Sequence, residues 1–443
     1  NDVVPEPAQT GSFVSSDTDL NEVWQLCATS MIENRNDLYM DTPTRERMPY
    51  EGDLLTRGRG EVVYSHSYDL LRKTCRYIVR VPGKFTEYKF MPILMAWEEY
   101  METGDADALS EDWALYEREQ GLRWFNRDGL IEKNRKTPLN DDIIDWPQPA
   151  EIDGFEFTRV NTVVNAWQYA ALNDLFKAAE VSGRSDDART FRKLANRLRN
   201  ALNEQTYDPQ IGAYHDGRDT DHTAIHSTLY SVALGVTEDK DLAATGEWLT
   251  KDNRLDTVPV SCNAVAWLLE ALYRSHQDQA ALDVMRSHSQ TSWWSMMHRW
   301  GATQTMEAWS PDIKPNTTFS HPWGASPIVV IARWLLGVQL EEAGASSLII
   351  EPHPADLIHV KGTVITVRGP VDVSIDNGDK TVLSVTLPGN SSGVLRWPLK
   401  GHQLEDVSVT YPDSTESQML SPKKKGDTLE VPLISGTTSV SIR

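Results

Sequence analysis

The segment Thr162–Leu202 reads TVVNAWQYAALNDLFKAAEVSGRSDDARTFRKLANRLRNAL and predicts two consecutive helices. Thr162–Val181 is apolar on several faces, which is typical of a helix buried all round. Asp186–Leu202 places its apolar residues at steps of three and four, which predicts a single apolar stripe. Between them, Gly183 can end the first helix in a left-handed conformation, and Ser185 is a candidate N-cap. An inner helix followed by an outer helix predicts a layered helical domain.

Further helical patterns occupy most of the chain before Gly337. They are Leu20–Arg35, Leu54–Val79, Pro92–Met101, Asp107–Arg123, Thr223–Leu234, Asp241–Leu249, Ala264–Ser275, Gln279–Arg286 and Trp323–Leu336. About a dozen helices without a strand run among them favour a mainly α fold, a closed double ring of helical hairpins called an (α/α)6 toroid. We assign residues 17–338 to this helical domain and residues 1–16 to a lead-in.

After Gly337 the sequence alternates apolar and polar residues, as half-buried strands do. Turn clusters such as Asp376–Asp379 and Pro388–Gly393 separate these segments. The pattern predicts a small antiparallel β-sandwich at residues 339–443, in a packing or carbohydrate-binding role. The segments are Val360–Val367, Val371–Ile375, Val382–Leu387, Val407–Tyr411 and Leu429–Leu433.

Composition narrows the classes of partner. The 443 residues carry a net charge of -21, from 64 acidic and 43 basic residues. Nucleic acids and anionic membrane surfaces both attract basic faces, so neither is an expected partner. The chain has 15 Trp and 14 Tyr but only 9 Phe. Trp and Tyr combine a flat apolar ring with a polar group, and their excess suggests stacking on sugar rings.

The cysteines and the first residue give two further expectations. Cys27, Cys75 and Cys262 are scattered and odd in number, so we expect buried free thiols rather than a disulfide framework. Their surroundings lack zinc-ligand spacing, and we expect neither a metal nor a cofactor. The chain begins at Asn1 without Met, which indicates a processed or excised piece.

The stretch Met40–Asp53, MDTPTRERMPYEGD, contains four acids and two arginines. Its two prolines fix φ and break helices, which predicts an ordered loop between two helices. Crowded carboxylates raise the pKa of one member, the condition that keeps a general acid protonated near neutral pH. On charge alone, a salt-bridged surface loop is the alternative.

A second stretch, Trp293–Trp309, places the single carboxylate of Glu307 between Trp300 and Trp309. Burying a carboxylate without partners is costly, which favours a functional role for this residue. The alternative is an exposed turn at Glu307 with the tryptophans facing inward. The segment Thr318–Gly324 adds a histidine and another tryptophan, and Asn140–Pro147 again sets acids beside a tryptophan.

These stretches supply the parts of a glycosidase. Hydrolysis of a glycosidic bond needs two carboxyl groups, with aromatic and polar groups to hold the sugar. The sequence has no GxSxG elbow, phosphate-binding loop, GxGxxG or HExxH motif for other chemistries.

Asp41–Asp53 resembles the signature of bacterial α-L-rhamnosidases of glycoside hydrolase family 78, with one residue fewer. That signature runs roughly Asp-Cys-Pro-x-Arg-(Asp)-Glu-Arg-x-Gly-Trp-x-Gly-Asp. Trp300–Trp309 resembles the family's Gly-Ala-Thr-x-x-x-Glu-x-Trp motif, and Ser320–Gly324 resembles its following His-containing stretch. Asp19–Asn34 resembles the family's first helix, and the resemblance continues to the end of the chain.

The resemblance implies an exo-acting, inverting enzyme that releases terminal α-L-rhamnose from a glycoside or polysaccharide, without a cofactor. Glu46 corresponds to the general acid and Glu307 to the base that activates water. For a bacterial protein of this kind, a secreted or periplasmic location is favoured over a cytoplasmic one. The implied substrate-binding residues are Asp41, Arg45, Tyr50, Asp53, Trp97, Asp145, Trp146, Trp300, Trp309 and His321.

Three residues depart from the family's signature. Tyr50 stands where the family usually has Trp, Pro49 replaces Gly, and Glu51 adds an acid. We expect these changes to alter the wall that faces the sugar and to leave the acid–base pair intact. Two alternatives remain open: a related (α/α)6 glycosidase or lyase with another sugar specificity, or a non-catalytic carbohydrate-binding protein.

Overall fold

The computed structural model describes residues 9–442 except positions 36, 66, 121, 135–138, 140, 149–151 and 414–419. Asn140 and the first eight residues of the predicted lead-in therefore lie outside the described residues. Within the described ranges the cysteines are free and buried, as predicted. None of the helices in these ranges is long and apolar enough to cross a bilayer.

Fourteen α-helices form within the described ranges, and all precede Gly337. They are α1 (Thr18–Glu33), α2 (Glu51–Tyr64), α3 (Tyr68–Arg80), α4 (Met91–Thr103), α5 (Asp107–Glu111), α6 (Trp113–Glu119), α7 (Thr162–Val181), α8 (Ser185–Thr206), α9 (Ile225–Ala233), α10 (Leu242–Thr250), α11 (Val265–Arg274), α12 (Asp278–Met285), α13 (Trp293–His298) and α14 (Pro327–Val330).

The hairpin of α7 and α8 confirms the prediction made from Thr162–Leu202. Asn161 caps α7 by accepting a hydrogen bond from the backbone N–H of Val164. Gly183 adopts φ 71° in the connection, a left-handed conformation that costs glycine little. Ser185 is the first residue of α8 and not its N-cap, because Arg184 occupies the cap position.

Six helices contact one another in cyclic order. The contacts run from α2 to α4, α7, α9, α11 and α14, and α14 contacts α2 again. Glycines allow the close approach of α2 to its neighbours. A Cβ atom at Gly58 would collide with the sulfur of Met95 on α4, and one at Gly60 would lie 3.2 Å from the methyl carbon of Met31 on α1. These six helices position the residues described below.

Three predicted helices are interrupted in the structure. Leu54–Val79 comprises two helices, because Ser65 is extended at φ -153° after α2 ends. Asp107–Arg123 is divided into α5 and α6 at Asp112. Trp323–Leu336 begins as a 3₁₀ turn, then forms α14 and a π-helical turn at Ile331–Leu335. Pro327 is favourable at the first position of α14, since it lacks a backbone N–H.

Thirteen strands form within the described ranges. They are β1 (Ser12–Ser15), β2 (Tyr207–Asp208), β3 (Ala213–Tyr214), β4 (Val338–Leu340), β5 (Ser347–Ile350), β6 (His359–Thr366), β7 (Gly369–Asn377), β8 (Thr381–Leu387), β9 (Ser392–Pro398), β10 (Val407–Thr410), β11 (Lys423–Lys425), β12 (Thr428–Leu433) and β13 (Gly436–Ile442).

The strands after Gly337 belong to two sheets, ordered β1-β6-β7-β8-β13-β10 and β11-β12-β9-β5-β4. Most neighbours are antiparallel, as predicted, but β5 and β9 are parallel, so the second sheet is mixed. The expectation of no strands before Gly337 was wrong. The hairpin of β2 and β3 lies there, and β1 pairs with β6 across almost the whole chain.

Gly337 lies between the π-helical turn and β4. Its φ is 72°, and a Cβ atom there would overlap the carbonyl group of Glu351. The backbone N–H of Glu351 donates to the carbonyl of Gly337 at 2.9 Å. Glycine is therefore required for the close approach at which the helical region meets the sheets.

Candidate active site

The loop before α2 is closed by hydrogen bonds at its two ends. The backbone N–H of Asp41 donates to the carbonyl of Met48, and the N–H of Met48 donates to Asp41 Oδ1 at 2.9 Å. Burial and the charge of the neighbouring Asp53 raise the pKa of Asp41, although the Met48 N–H opposes that shift. The buried positions of Asp41, Glu51 and Asp53 exclude a purely surface loop for these residues.

Glu46 lies on the open side of this loop, with 39% of its side chain exposed. Its carboxylate accepts a hydrogen bond from the Tyr50 hydroxyl at 2.7 Å and lies 2.8 Å from Arg45 Nη1. Tyr50 immediately precedes α2, so the helix start fixes the position of its ring. Burial, followed by the hydrogen bond to Glu46, raises the pKa of Tyr50, which remains a neutral donor.

Glu307 is buried, with 3% of the residue exposed, so the alternative of an exposed turn is wrong. Arg45 Nη2 donates to both of its oxygens at 2.7 Å. Lys314 Nζ lies 3.1 Å from one oxygen, and the backbone N–H of Thr318 donates to the other at 3.2 Å. The indole N–H of Trp323 donates to the backbone carbonyl of Glu307 at 3.0 Å, which holds the main chain.

The charges around Glu307 favour its ionised form. Burial by itself raises the pKa of this carboxyl, but the opposing contributions of His321, Lys314 and the Thr318 N–H outweigh it. The net result is a pKa below the ordinary value for glutamate. Glu307 is therefore ionised at neutral pH and able to accept a proton.

Asp53 and His321 form a buried pair between α2 and the segment that follows Glu307. His321 Nε2 lies 3.0 Å from Asp53 Oδ1, and His321 Nδ1 lies 3.1 Å from the hydroxyl of Thr318. The backbone N–H of His321 donates to the carbonyl of Thr305 at 2.8 Å. This network fixes the Asp53 carboxylate beside Asp41 and orients both toward the same space.

The side chain of Asp145 holds the backbone of Trp146. Asp145 Oδ1 accepts the backbone N–H of Trp146 at 2.8 Å, and Oδ2 lies 2.9 Å from His226 Nε2. The backbone N–H of Ser261 donates to the same Oδ2 at 3.0 Å. Since these contacts surround the Asp145 carboxylate with protein donors, its role in the structure is to hold Trp146.

These groups meet in one pocket of about 280 Å³, which we call the acidic pocket. Arg45 contacts two of the four carboxylates in this pocket, those of Glu46 and Glu307, although it is not among the lining residues. The lining residues are Asp41, Glu46, Tyr50, Asp53, Phe85, Tyr88, Ile143, Trp146, Glu307, His321 and Trp323.

Sequence reasoning missed several of these positions. Phe85 and Tyr88 come from the connection between α3 and α4, where the sequence shows no acid or tryptophan cluster. Ile143 and Lys314 were also missed. Lys314 lies only seven positions after Glu307, and a cation so close to a candidate base was the available signal. Trp323 was noted in its motif and not selected.

Besides Arg45, four implied residues do not line the acidic pocket: Asp145, whose carboxylate instead binds His226, Ser261 and the Trp146 backbone, and three tryptophans. The indole of Trp309 is fully buried, donates to the carbonyl of Val260 at 2.7 Å and packs edge-on against Trp293. Trp300 lies half-buried after α13, outside the lining residues. Trp97 lies on α4 beside Tyr100 and lines a different cavity.

The expectation for Glu51 also needs correction. Its carboxylate accepts the backbone N–H of Gly83 at 2.5 Å and is buried away from the acidic pocket. Burial raises the pKa of Glu51, and the Gly83 N–H opposes that effect. The extra acid therefore connects α2 to the segment after α3, and only Tyr50 of the three departures lines the pocket. Within the described residues, no group of three or more His, Cys, Asp or Glu side chains is arranged to hold a metal ion.

Comparison with known proteins gives a family match over most of the chain. A family model described as the bacterial alpha-L-rhamnosidase 6 hairpin glycosidase domain matches residues 8–335. No curated protein matches the sequence.

Solved structures give the same fold at low sequence identity. The α-L-rhamnosidase from Dictyoglumus thermophilum is 16% identical, with a TM-score of 0.79, and the match covers 99% of this chain and 51% of that chain. The Streptomyces avermitilis α-L-rhamnosidase complexed with L-rhamnose is 15% identical, with a TM-score of 0.80, over 99% and 42% of the two chains. A family 78 rhamnosidase of Bacillus sp. GL1 is 20% identical, with a TM-score of 0.70, over 84% and 41%. The chain thus spans about half or less of each of these proteins.

Proposed function

Because the chain belongs to the bacterial α-L-rhamnosidase family defined by the six-hairpin glycosidase domain, we propose that it is a glycoside hydrolase. Its substrate is a glycoside or polysaccharide with terminal α-L-rhamnose, and its action is exo. The observation that carries this proposal is the pair of carboxylates, Glu46 and Glu307, held by the two terminal nitrogens of one arginine in a single pocket.

The two carboxylates take different roles because their surroundings differ. Glu46 is accessible at the mouth, where the Tyr50 hydroxyl orients it, and in its protonated form it can donate a proton to the leaving oxygen. Glu307 is buried among cations that keep it ionised, so it is placed to take a proton from water. The water oxygen then attacks the anomeric carbon from the opposite face as the glycosidic bond breaks.

An inverting mechanism requires the two carboxyl groups to lie about 6.5–9.5 Å apart, which leaves room for a water molecule. The Arg45 guanidinium between them is consistent with such a gap. A substrate entering this space exchanges the Arg45 contacts for its own, and the freed guanidinium can then bind sugar hydroxyls. Asp41 and Asp53 supply acceptors for further hydroxyls, and Trp146 and Tyr88 supply aromatic faces.

We also propose that the six helices in cyclic contact form the inner ring of an (α/α)6 toroid. The acidic pocket then lies at the end of the ring where α2 and α4 begin. Residues of the preceding loops, such as Glu46 and Phe85, form its rim.

The deciding experiment is hydrolysis of p-nitrophenyl α-L-rhamnoside, followed by ¹H NMR of the first anomer released. The proposal expects β-L-rhamnose before mutarotation, and Glu307→Gln should reduce kcat/KM by at least about 10³-fold. Release of the α-anomer would overturn inversion. No hydrolysis of any α-L-rhamnoside would overturn the proposed activity.

A further inference from the structure

A second cavity, of about 430 Å³, lies between the helices and the first strands of the sheets. We call it the basal cavity. Its walls come from α2, α4, α7, α11, the π-helical turn, β4 and β6. The side chains used below are Trp97, Glu98, Glu102, Glu270, Arg274 and Trp334.

The basal cavity is at the opposite end of the helices from the acidic pocket. On α2, Asp53 lines the acidic pocket, whereas Val63 lines the basal cavity. Ten residues of helix span roughly 15 Å. A layer that includes Trp167 and Trp267, whose rings pack edge-to-face at 4.8 Å, separates the two spaces. The basal cavity is therefore a separate site.

Two tryptophans give the basal cavity aromatic walls. Trp97 packs against Tyr100 with a ring-centroid distance of 5.2 Å, and Lys177 Nζ lies 5.4 Å from the Trp97 ring. Trp334 stacks on Tyr273 at 5.6 Å with an interplanar angle of 8°. Both indoles are only partly buried. Rings held this way bind apolar faces with little loss of side-chain entropy.

Most charges that line the basal cavity already have partners. Arg333 binds both oxygens of Glu98, at 2.9 and 2.7 Å, and Arg59 Nη2 lies 3.1 Å from Glu270. Because these pairs balance one another, they give no net attraction to an anion or a cation. The polar atoms of these pairs that face the cavity form a fixed set of hydrogen-bond donors and acceptors.

Glu102 is the exception. It is 3% exposed, and its nearest cationic nitrogen, Arg333 Nη2, lies 3.7 Å away, beyond hydrogen-bond distance. Among the contacts of the described residues, no hydrogen bond satisfies this carboxyl. Burial raises the pKa of Glu102 to about 8, against the opposing charge of Arg333. At neutral pH it therefore offers one O–H donor and free acceptor positions.

We propose that the basal cavity binds a neutral saccharide. A sugar ring presents an apolar face for Trp97 or Trp334 and hydroxyls that can both donate to and accept from Glu102. Arg274, exposed at the end of α11, adds a donor at the mouth. The volume falls within the range of small-molecule sites, about 300–1,000 Å³. This second site is independent of the hydrolysis proposed above.

The test uses the 443-residue chain with Glu307→Gln, labelled with 5-fluorotryptophan, so that each of the 15 tryptophans gives its own ¹⁹F signal. Trp97→Phe and Trp334→Phe assign the two basal signals, and Trp146→Phe and Trp323→Phe assign the pocket signals. L-Rhamnose, D-galactose and D-glucose are titrated separately. We expect at least one of these sugars to shift the Trp97 and Trp334 signals saturably.

Arg274→Ala should weaken that basal titration about tenfold, the effect of one charged hydrogen bond, and should leave the Trp146 and Trp323 titrations unchanged. Arg189→Ala, an exposed arginine on α8, is the matched control. In otherwise unaltered enzyme, Arg274→Ala should hydrolyse p-nitrophenyl α-L-rhamnoside normally, which separates this proposal from the proposed activity. Basal signals that no sugar moves, or equal effects of Arg274→Ala and Arg189→Ala, would overturn the second site.

Discussion

Arg45 Nη2 lies 2.7 Å from both carboxylate oxygens of Glu307, while Nη1 of the same guanidinium lies 2.8 Å from Glu46. Arg45 and Glu46 are sequence neighbours, so the loop before α2 brings a cation and an acid together to the distant Glu307. Two acids that would otherwise repel each other are thereby held in one pocket.

Glu46→Gln should lower kcat/KM by about 10²–10⁴-fold for p-nitrophenyl α-L-rhamnoside, because the leaving oxygen loses its proton donor. The loss should be much smaller with a 2,4-dinitrophenyl leaving group, which departs without protonation. Since Glu46 lies on the surface with 39% of its side chain exposed, the free energy of unfolding should change by no more than about 0.5 kcal/mol. An equal loss with both leaving groups would contradict the acid role.

Lys314→Met should move the acidic limb of the kcat/KM profile to higher pH. Lys314 is one of the groups that lower the pKa of Glu307. Activity that depends on ionised Glu307 is present above that lowered pKa and is lost as the pH falls through it. Without Lys314 the pKa rises, so the loss begins at a higher pH.

The pH profile of Lys314→Arg should stay close to that of the unaltered enzyme, since the charge remains. Lys240→Met is the matched control, because Lys240 is exposed and forms its ion pair with Glu238 on the surface. An acidic limb that stays in place in Lys314→Met would exclude Lys314 as a group that tunes the base.

Asp145→Ala should destabilise the protein by about 3–5 kcal/mol, since it leaves the buried His226 and the Ser261 N–H without their acceptor. It should also raise KM, because Trp146 loses the contact that fixes its backbone. Asp145→Asn keeps an acceptor oxygen and should be milder in both respects. Urea unfolding and steady-state kinetics measure the two effects, and an unchanged KM in Asp145→Ala would show that Trp146 is held by other contacts.

Gly337→Ala should cost clearly more stability than Gly183→Ala, although both glycines are left-handed. Adding a Cβ at a left-handed position costs about 1–2 kcal/mol by itself. A Cβ at Gly183 meets no atom within 4 Å, whereas one at Gly337 overlaps the backbone of Glu351. Thermal unfolding of the two variants gives the comparison. Equal losses of stability would show that the segment around Glu351 moves to make room for the added Cβ.

The sequence predicted the elements whose patterns are local. The α7–α8 hairpin follows from apolar spacing and one glycine, and β7 and β8 follow from strict alternation. By contrast, β9 was missed because Gly393 and Pro398 lie within the strand and interrupt the pattern. The four residues of β1 gave no signal either, since its partner β6 is remote in sequence.

The residues of the candidate site also differ in whether the local sequence reveals them. Glu46 and Glu307 could be selected because their motifs resemble those of a known family, and the structure places both in one pocket. Phe85 and Tyr88 look like ordinary apolar residues until the fold places them opposite Glu46. Trp97 and Trp309 were expected in the substrate pocket and lie elsewhere. An indole packs equally well in a core or in a second cavity, so the residue type alone does not decide its place.

The pairing of β1 with β6 has a mechanical consequence for the helical region. That region is attached to the sheets at both ends, to one sheet through β1 before α1 and to the other through β4 after Gly337. Four residue pairs, Ser12–Ser15 with Val360–Thr363, therefore connect the segment before α1 to a strand that follows α14. Separating α1 from α14 must first unzip this ladder. The helices and sheets should accordingly melt together, and a single backbone cut in a helical connection should leave the two fragments associated.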